Sequence, residues 1–169
     1  APDEPTLITL PAGKGLVFQE EMTHLIEILK INIPELLKSP YYTEKRDSII
    51  ESQQKKQKAA LKSFEEEVAK EGFSVIQVQI GTFVKPDLIP VINGKPMPFD
   101  KLEADAREEK FPKEILEQLH AKYDDLTDKL EQVFKQMKET EENTREMLKD
   151  WDRKSITPII RDAIKDIRI

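Results

Sequence analysis

Side chains of catalytic or metal-binding type fall at useful spacing in few places along this chain. His120 has Glu117 one turn before it and Asp124 one turn after, which puts three metal-capable groups on one face of a helix. A charged helix flank produces such triplets by chance, and no second histidine is near in sequence, so the simpler reading is a solvated face. His24 lies among helix-forming residues without a ligand partner and reads as partly buried packing. The serines are Ser39, Ser48, Ser52, Ser63, Ser74 and Ser155, and none sits in a Gly-x-Ser-x-Gly elbow. Paired carboxylates are frequent, but on faces open to water where nothing would desolvate one of them. Gly13-Lys14-Gly15 invites a phosphate-loop reading; a Walker loop needs four residues between its glycines and Ser or Thr after the Lys, and here Gly15 follows the Lys. The residues argue against catalysis within this chain, and no cofactor or metal site is expected in it.

Composition narrows the class further. Charged residues make up 36% of the 169 against 38% hydrophobic and 7% aromatic, a balance that suits helices with wide solvated faces. The 33 acidic and 27 basic side chains leave a formal charge of −6, so nucleic acid is not expected as a partner. Lys55, Lys56 and Lys58 are offset by Glu65 to Glu67. Cysteine is absent, which excludes disulfides and thiolate chemistry here and is consistent with the cytosol. No run approaches the roughly 20 apolar residues of a membrane span, and no signal peptide is read. The start at Ala1 and the end inside an amphipathic pattern read as a piece of a longer protein.

The elements that must position any site are mostly helical. From Leu116 through Leu119, Tyr123, Leu126, Leu130, Val133, Met137, Thr140, Thr144 and Met147 to Trp151, seam residues alternate at spacings of three and four. A second seam runs back from Val68 through Phe64, Leu61, Gln57 and Gln54 to Ile50, ending at the helix stop Gly72. The two are expected to pair antiparallel, with Val68 near Leu119, Ile50 near Met137, and the two Gln opposite Leu130 and Val133. The fold class expected is mainly α with a small β element: a long antiparallel coiled-coil hairpin carrying a two- or three-stranded sheet at its tip, with shorter terminal helices at the base. The whole of 1–169 reads as one elongated domain. Its parts are an extended segment 1–15 with a short strand at Leu7–Leu10, a base helix 16–38 kinked near Asn32 to Pro34, a helix 40–71, a β tip 73–98, a short helix 99–109 capped by Asp100, a helix 112–155, and a base helix 156–169 that Pro158 should bend or break.

The period turns from helical to alternating at Phe73. Strands are expected over 73–80 and over Thr82–Lys85, and Leu88–Ile92 can extend the second past an interruption at Pro86-Asp87. Gly81 marks a turn, and Asn93-Gly94 a two-residue hairpin. Pro86 and Pro90 cannot donate to a ladder, which confines their strands to edges or short runs. Val84, Leu88, Ile89 and Val91 lie next to unpaired strand edges, and they are the candidate contacts for an extended polypeptide taken up by strand addition.

Several of these stretches occur in one order: Pro2-Asp3-Glu4-Pro5, Leu10-Pro11-Ala12-Gly13-Lys14-Gly15 and a helix, Tyr42 leading a long charged helix to Glu71-Gly72-Phe73, then Gly81-Thr82-Phe83-Val84 and Asn93-Gly94-Lys95-Pro96 before a long helix. In this order nearly the whole chain resembles the Lon-like ATP-dependent proteases of the LonB/LonC type. The resemblance implies a helical insert of an AAA+ module, between its Walker A and Walker B segments, in a parent that forms a cytoplasmic homo-hexamer. The parent would use ATP and magnesium and carry a Ser-Lys dyad in a separate domain; none of those signatures is in these residues. The implied function is a non-catalytic coiled-coil piece that engages or gates protein substrates at the ring entrance. A stand-alone module resembling prefoldin, gripping unfolded protein, is the alternative, and a structural spacer or oligomerisation element a third. Neither nucleic acid nor a membrane is an expected partner.

Overall fold

The computed structural model of the chain describes Leu7 and residues 9–167. Along it run α1 (Lys14–Lys38), α2 (Pro40–Lys70), β1 (Phe73–Ile80), β2 (Phe83–Ile92), β3 (Lys95–Pro96), α3 (Phe99–Arg107) and α4 (Lys113–Lys165). The architecture is mainly helical with one small antiparallel sheet, ordered β1-β2-β3. Residues 1–6 and 8 of the expected N-terminal extension lie outside the described residues, and no strand forms at Thr9 and Leu10. The chain divides into two compact units, one holding the residues up to Ile50 together with those from Thr144, the other running from Glu51 to Asn143.

In the unit of residues 51–143, the end of α2 lies against the start of α4 in the opposite direction. Glu67 faces Lys129 (2.6 Å) and Glu71 faces Lys122 (3.0 Å), so Val68 falls level with Leu126. The pairing direction is the one expected, but its register is displaced by about two turns from Val68 against Leu119. The displacement has a packing cause. Phe64 joins Leu130 in the buried cluster, and Ala60 shares a crevice with Val133, so apolar residues take the places foreseen for Gln54 and Gln57. Gln57 is half-buried and Gln54 is exposed. Burying Phe64 rather than Gln against Leu130 removes apolar surface from water without stranding an amide, and each such side chain contributes about 1.5–3 kcal/mol.

The sheet starts where α2 stops. Gly72 takes φ +82°, the left-handed turn that ends a helix, and its carbonyl accepts the N–H of Val91 at 2.8 Å. One residue thus closes α2 and opens the ladder. Gly81, at φ +63°, starts the two-residue turn between Ile80 and Phe83, and Asn93 (φ 50°) with Gly94 (φ 76°) makes the second, as a type I′ turn requires. Phe73, Leu88 and Pro90 are buried; Phe73 and Leu88 join Val68, Leu102, Leu119 and Leu126 in the core. The sheet is therefore laid against the helices, not held clear of them. α3 closes the cluster with Leu102 and Ala106. Its first turn follows Pro98, and no side chain caps it; Asp100 lies inside the first turn and is not the N-cap.

Leu88–Ile92 does extend the second strand, and β2 runs through Pro86-Asp87 without the interruption expected there. The bond from Val91 to Gly72 fixes the alternation: Ser74, Ile76, Val78 and Ile80 exchange bonds with β2, while Phe73, Val75, Gln77 and Gln79 face non-bonded partners, which are Pro90, Leu88, Pro86 and Val84. Pro86 and Pro90 thus stand where no donor toward β1 is required. On the other side, the Pro90 carbonyl accepts Met97 N–H at 2.9 Å.

In the other unit, Tyr42 is the anchor. Its hydroxyl donates to the Asp152 carboxylate, its ring stacks on Trp151 (6.3 Å, 15°), and Trp151 Nε1 donates to its carbonyl at 3.2 Å. Beyond Thr144 the buried positions of α4 are Ser155 and Ala163, and Leu148, Trp151, Asp152, Ile156 and Ile159 are half-buried, while Met147 is exposed. The seam therefore shifts at Thr144, before Trp151, by a run of four-residue steps of the kind that locally unwinds a coiled coil. Pro34 and Pro158 lie inside α1 and α4, and neither helix is broken there. Each costs one i→i−4 bond, and each falls within about two turns of its helix end.

Two substitutions probe this packing. Leu126→Ala, at a position 1% exposed, should cost about 2–5 kcal/mol in urea denaturation. Ser155→Ala should do the opposite: Ser155 Oγ is buried without a hydrogen-bond partner, so its removal should add about 1 kcal/mol and raise the melting temperature by roughly 2–4 °C. A fall in melting temperature would show that the hydroxyl is satisfied.

Candidate functional site

The most exposed apolar cluster of the unit of residues 51–143 is at the turn end of the β1–β2 hairpin. Ile80 is 61% exposed, Phe83 78% and Val84 63%. The cause is visible in the sequence of the hairpin: residues 73–84 carry no charge, and only the end near Gly72 reaches the core. Beside the cluster, Val84, Lys85 and Pro86 with Leu130, Glu131 and Phe134 of α4 line a crevice of about 340 Å³. A smaller one of about 140 Å³ lies between Val78, Ile80 and Asp87 of the sheet and Tyr123, Thr127 and Leu130 of α4. Both are mostly apolar, with one cation, Lys85, and one carboxylate, Glu131, at their shared rim.

A polar latch holds the hairpin on the helix. Asp87 Oδ1 accepts the Tyr123 hydroxyl at 2.8 Å and the backbone N–H of Leu88 at 2.8 Å. The hydrogen bond to Asp87 raises the pKa of Tyr123 above the ordinary tyrosine value, with burial adding to it. Tyr123 also meets Phe99 edge-on (5.3 Å, 80°) and lies 6.5 Å from Phe73, so one aromatic group ties β1, α3 and α4 together.

Of the contacts foreseen from sequence, Val84 is exposed at the hairpin end, Ile89 and Val91 are half-buried, and Leu88, 4% exposed, belongs to the core and is not open to a partner. Ile80, Phe83 and Phe134 were not foreseen. Phe83 follows directly on the Gly81-Thr82 turn, a signal that it sits at a tip; Phe134 is next to the seam residue Val133 and carries no signal of its own.

The polar candidates have other partners. His120 stacks on Phe99 (4.4 Å, 17°), with Nε2 3.4 Å from Glu103 of α3, rather than meeting Glu117 and Asp124. Among the described residues no group of three His, Asp or Glu gathers as a metal would need. His24 is exposed, not partly buried, and lines a shallow groove with Leu16, Thr23 and Glu27. Gly13 turns the chain into α1 at φ +82° and Lys14 is the first helical residue; with Gly15 in place of a hydroxyl residue, this does not fit a nucleotide phosphate loop. Ser39 donates to the Leu36 carbonyl at 2.6 Å and its Oγ accepts Tyr42 N–H at 3.4 Å, so it links α1 to α2. No helix in the described residues is long and apolar enough to cross a membrane.

The latch has a pH consequence. A tyrosine pKa raised by folding stabilises the fold fully below the ordinary value near 10 and loses that contribution as pH rises through the folded value. Tyr42, raised first by its bond to Asp152, acts in the same direction. Urea midpoints should therefore fall above about pH 10, and Tyr123→Phe should flatten that fall while costing about 1–2 kcal/mol at neutral pH. An unchanged alkaline slope in Tyr123→Phe would contradict the latch.

Compared with family models, with curated proteins and with solved structures, the chain matches none of them.

Proposed function

We propose that this chain is a non-catalytic helical insert of a Lon-like ATP-dependent protease, and that its hairpin end engages unfolded protein substrates on behalf of a hexameric, cytoplasmic parent. The family part of the reading rests on the sequence resemblance centred on Leu10-Pro11-Ala12-Gly13-Lys14-Gly15. The binding part rests on one observation: Ile80, Phe83 and Val84 stand in water beside an apolar crevice, on a hairpin whose other end is firmly buried. Exposed apolar side chains clustered on an otherwise highly charged surface mark a place where another chain is held. A crevice walled by Leu130 and Phe134 with Lys85 and Glu131 at its rim accepts apolar side chains of either flanking charge. Such low selectivity suits a device that meets many unfolded sequences. Nothing in this function asks for a nucleophile or a metal; the residues hold and release, and the chemistry belongs to other parts of the parent.

Phe83→Ser combined with Val84→Ser removes this apolar surface at positions too exposed to matter for folding, where changes stay within about 0.5 kcal/mol. In fluorescence anisotropy with labelled, reduced and carboxymethylated lactalbumin, the 169-residue chain should bind, and the double variant should bind about tenfold more weakly with an unchanged melting curve. Equal affinity of the two would overturn the reading.

A further inference from the structure

We infer that the captured polypeptide adds as an extended strand to the outer edge of β1, and that β2 is built to refuse it. The inference rests on the reading above, and it specifies how the substrate is held. The two edges of the hairpin differ in what they offer. Along the outer edge of β2 the groups pointing away from β1 belong to Val84, Pro86, Leu88 and Pro90. Pro86 and Pro90 have no N–H, and the Leu88 N–H is taken by Asp87 Oδ1 at 2.8 Å. Beyond them β3 covers Val91 and Ile92. Only Val84 is left to donate, and a single donor does not hold a strand.

The outer edge of β1 has none of these protections. It is the end strand of the sheet, it contains no proline, and Val75, Gln77 and Gln79 point their backbone groups away from β2. Its sequence, Phe73-Ser74-Val75-Ile76-Gln77-Val78-Gln79-Ile80, is uncharged and rich in β-branched residues. Natural sheets blunt their edges with charge, proline or capping. Here one edge of a single hairpin is blunted three times over and the other is bare.

The occupant is an extended segment of an unfolded polypeptide. At ~3.4 Å per residue the eight residues of β1 offer an edge of about 27 Å, and with strands and sheets spaced at roughly 5–10 Å the contact is on the order of a few hundred Å² per partner. A stable pair of folded chains buries about 1,200–2,000 Å² in total, so this edge alone is too small for a lasting dimer and of the right size for a briefly held strand. The absence of charge along β1 sets the preference: a proline-free run of alternating apolar and uncharged residues, with an apolar side chain carried toward Ile80 and Phe83 at the hairpin end.

The test uses a labelled peptide of alternating valine and threonine between terminal lysines, and a second peptide with two successive central prolines, which removes a donor from either of its edges. The first should bind the 169-residue chain and slow hydrogen exchange at the amides of Val75, Gln77 and Gln79; the second should bind at least tenfold more weakly. Gln77→Pro, which deletes an outward donor without touching a bond to β2, should weaken the first peptide about fivefold. The exchange readout on the unaltered chain keeps the test valid if that variant does not fold. Loss of binding in the Phe83→Ser, Val84→Ser variant with no protection of the β1 amides would overturn strand addition and leave the apolar end as the holding surface. Unchanged binding in that variant and in Gln77→Pro would overturn both readings. Protection of the same amides in the absence of peptide, with a doubled mass in sedimentation, would assign the edge to a second copy of the chain and overturn the inference.

Discussion

The unit of residues 51–143 depends on burying one end of a hairpin. Phe73 and Leu88 sit on one face of the paired strands, diagonal to one another between the pairs Phe73–Pro90 and Val75–Leu88, and both join the same buried cluster. The surface that receives them is made by Val68 and Phe64 of α2 with Leu119, Leu126 and Leu130 of α4. Gly72 makes this possible, since its left-handed φ brings the chain from the last turn of α2 directly onto the sheet. Remove the cluster and the helix pair has no closed end, while the strands have no face to lie on. The salt bridges Glu67 to Lys129 and Glu71 to Lys122 follow from that packing and add little, because exposed pairs are worth about 0–1 kcal/mol.

The division between a buried and an exposed hairpin end is what gives this unit a surface to use. The run from Phe73 to Val84 carries no charge. Its first residue enters the core, and Ile80, Phe83 and Val84 remain in water. The prolines and Asp87 protect one flank of the same hairpin. Stability and exposure are thus arranged along one short stretch, with the Tyr123 to Asp87 bond between them.

Much of the architecture was legible in the residues. Helix periodicity gave α2 and α4, the change to period two at Phe73 gave β1, Gly72 gave a stop, and Asn93-Gly94 gave a turn with both φ values positive. What periodicity does not carry is register. Two heptad seams can slide by a whole repeat, and what separates the alternatives is that Phe64 and Ala60, not Gln57 and Gln54, meet Leu130 and Val133. The shift at Thr144 was hidden for a similar reason: Met147 and Leu148 are adjacent and equally apolar, and packing chooses Leu148. Proline misled as a limit on β2 at Pro86 and Pro90, because a missing donor costs nothing where no acceptor faces it. Of the candidate site, Val84 was legible from its edge position, whereas the burial of Leu88 and the exposure of Phe134 depend on which side of each element meets the core.

The absence of cysteine makes the central packing directly measurable. Cysteine pairs placed at Glu67→Cys with Lys129→Cys, and at Glu67→Cys with Lys122→Cys, differ by about two turns of α4. Treated with a short bismaleimide, which joins two thiols as thioethers, the first pair should cross-link rapidly within one chain and the second slowly. Preferential cross-linking of the second pair would place α2 against α4 in the other register and remove the surface on which the hairpin rests.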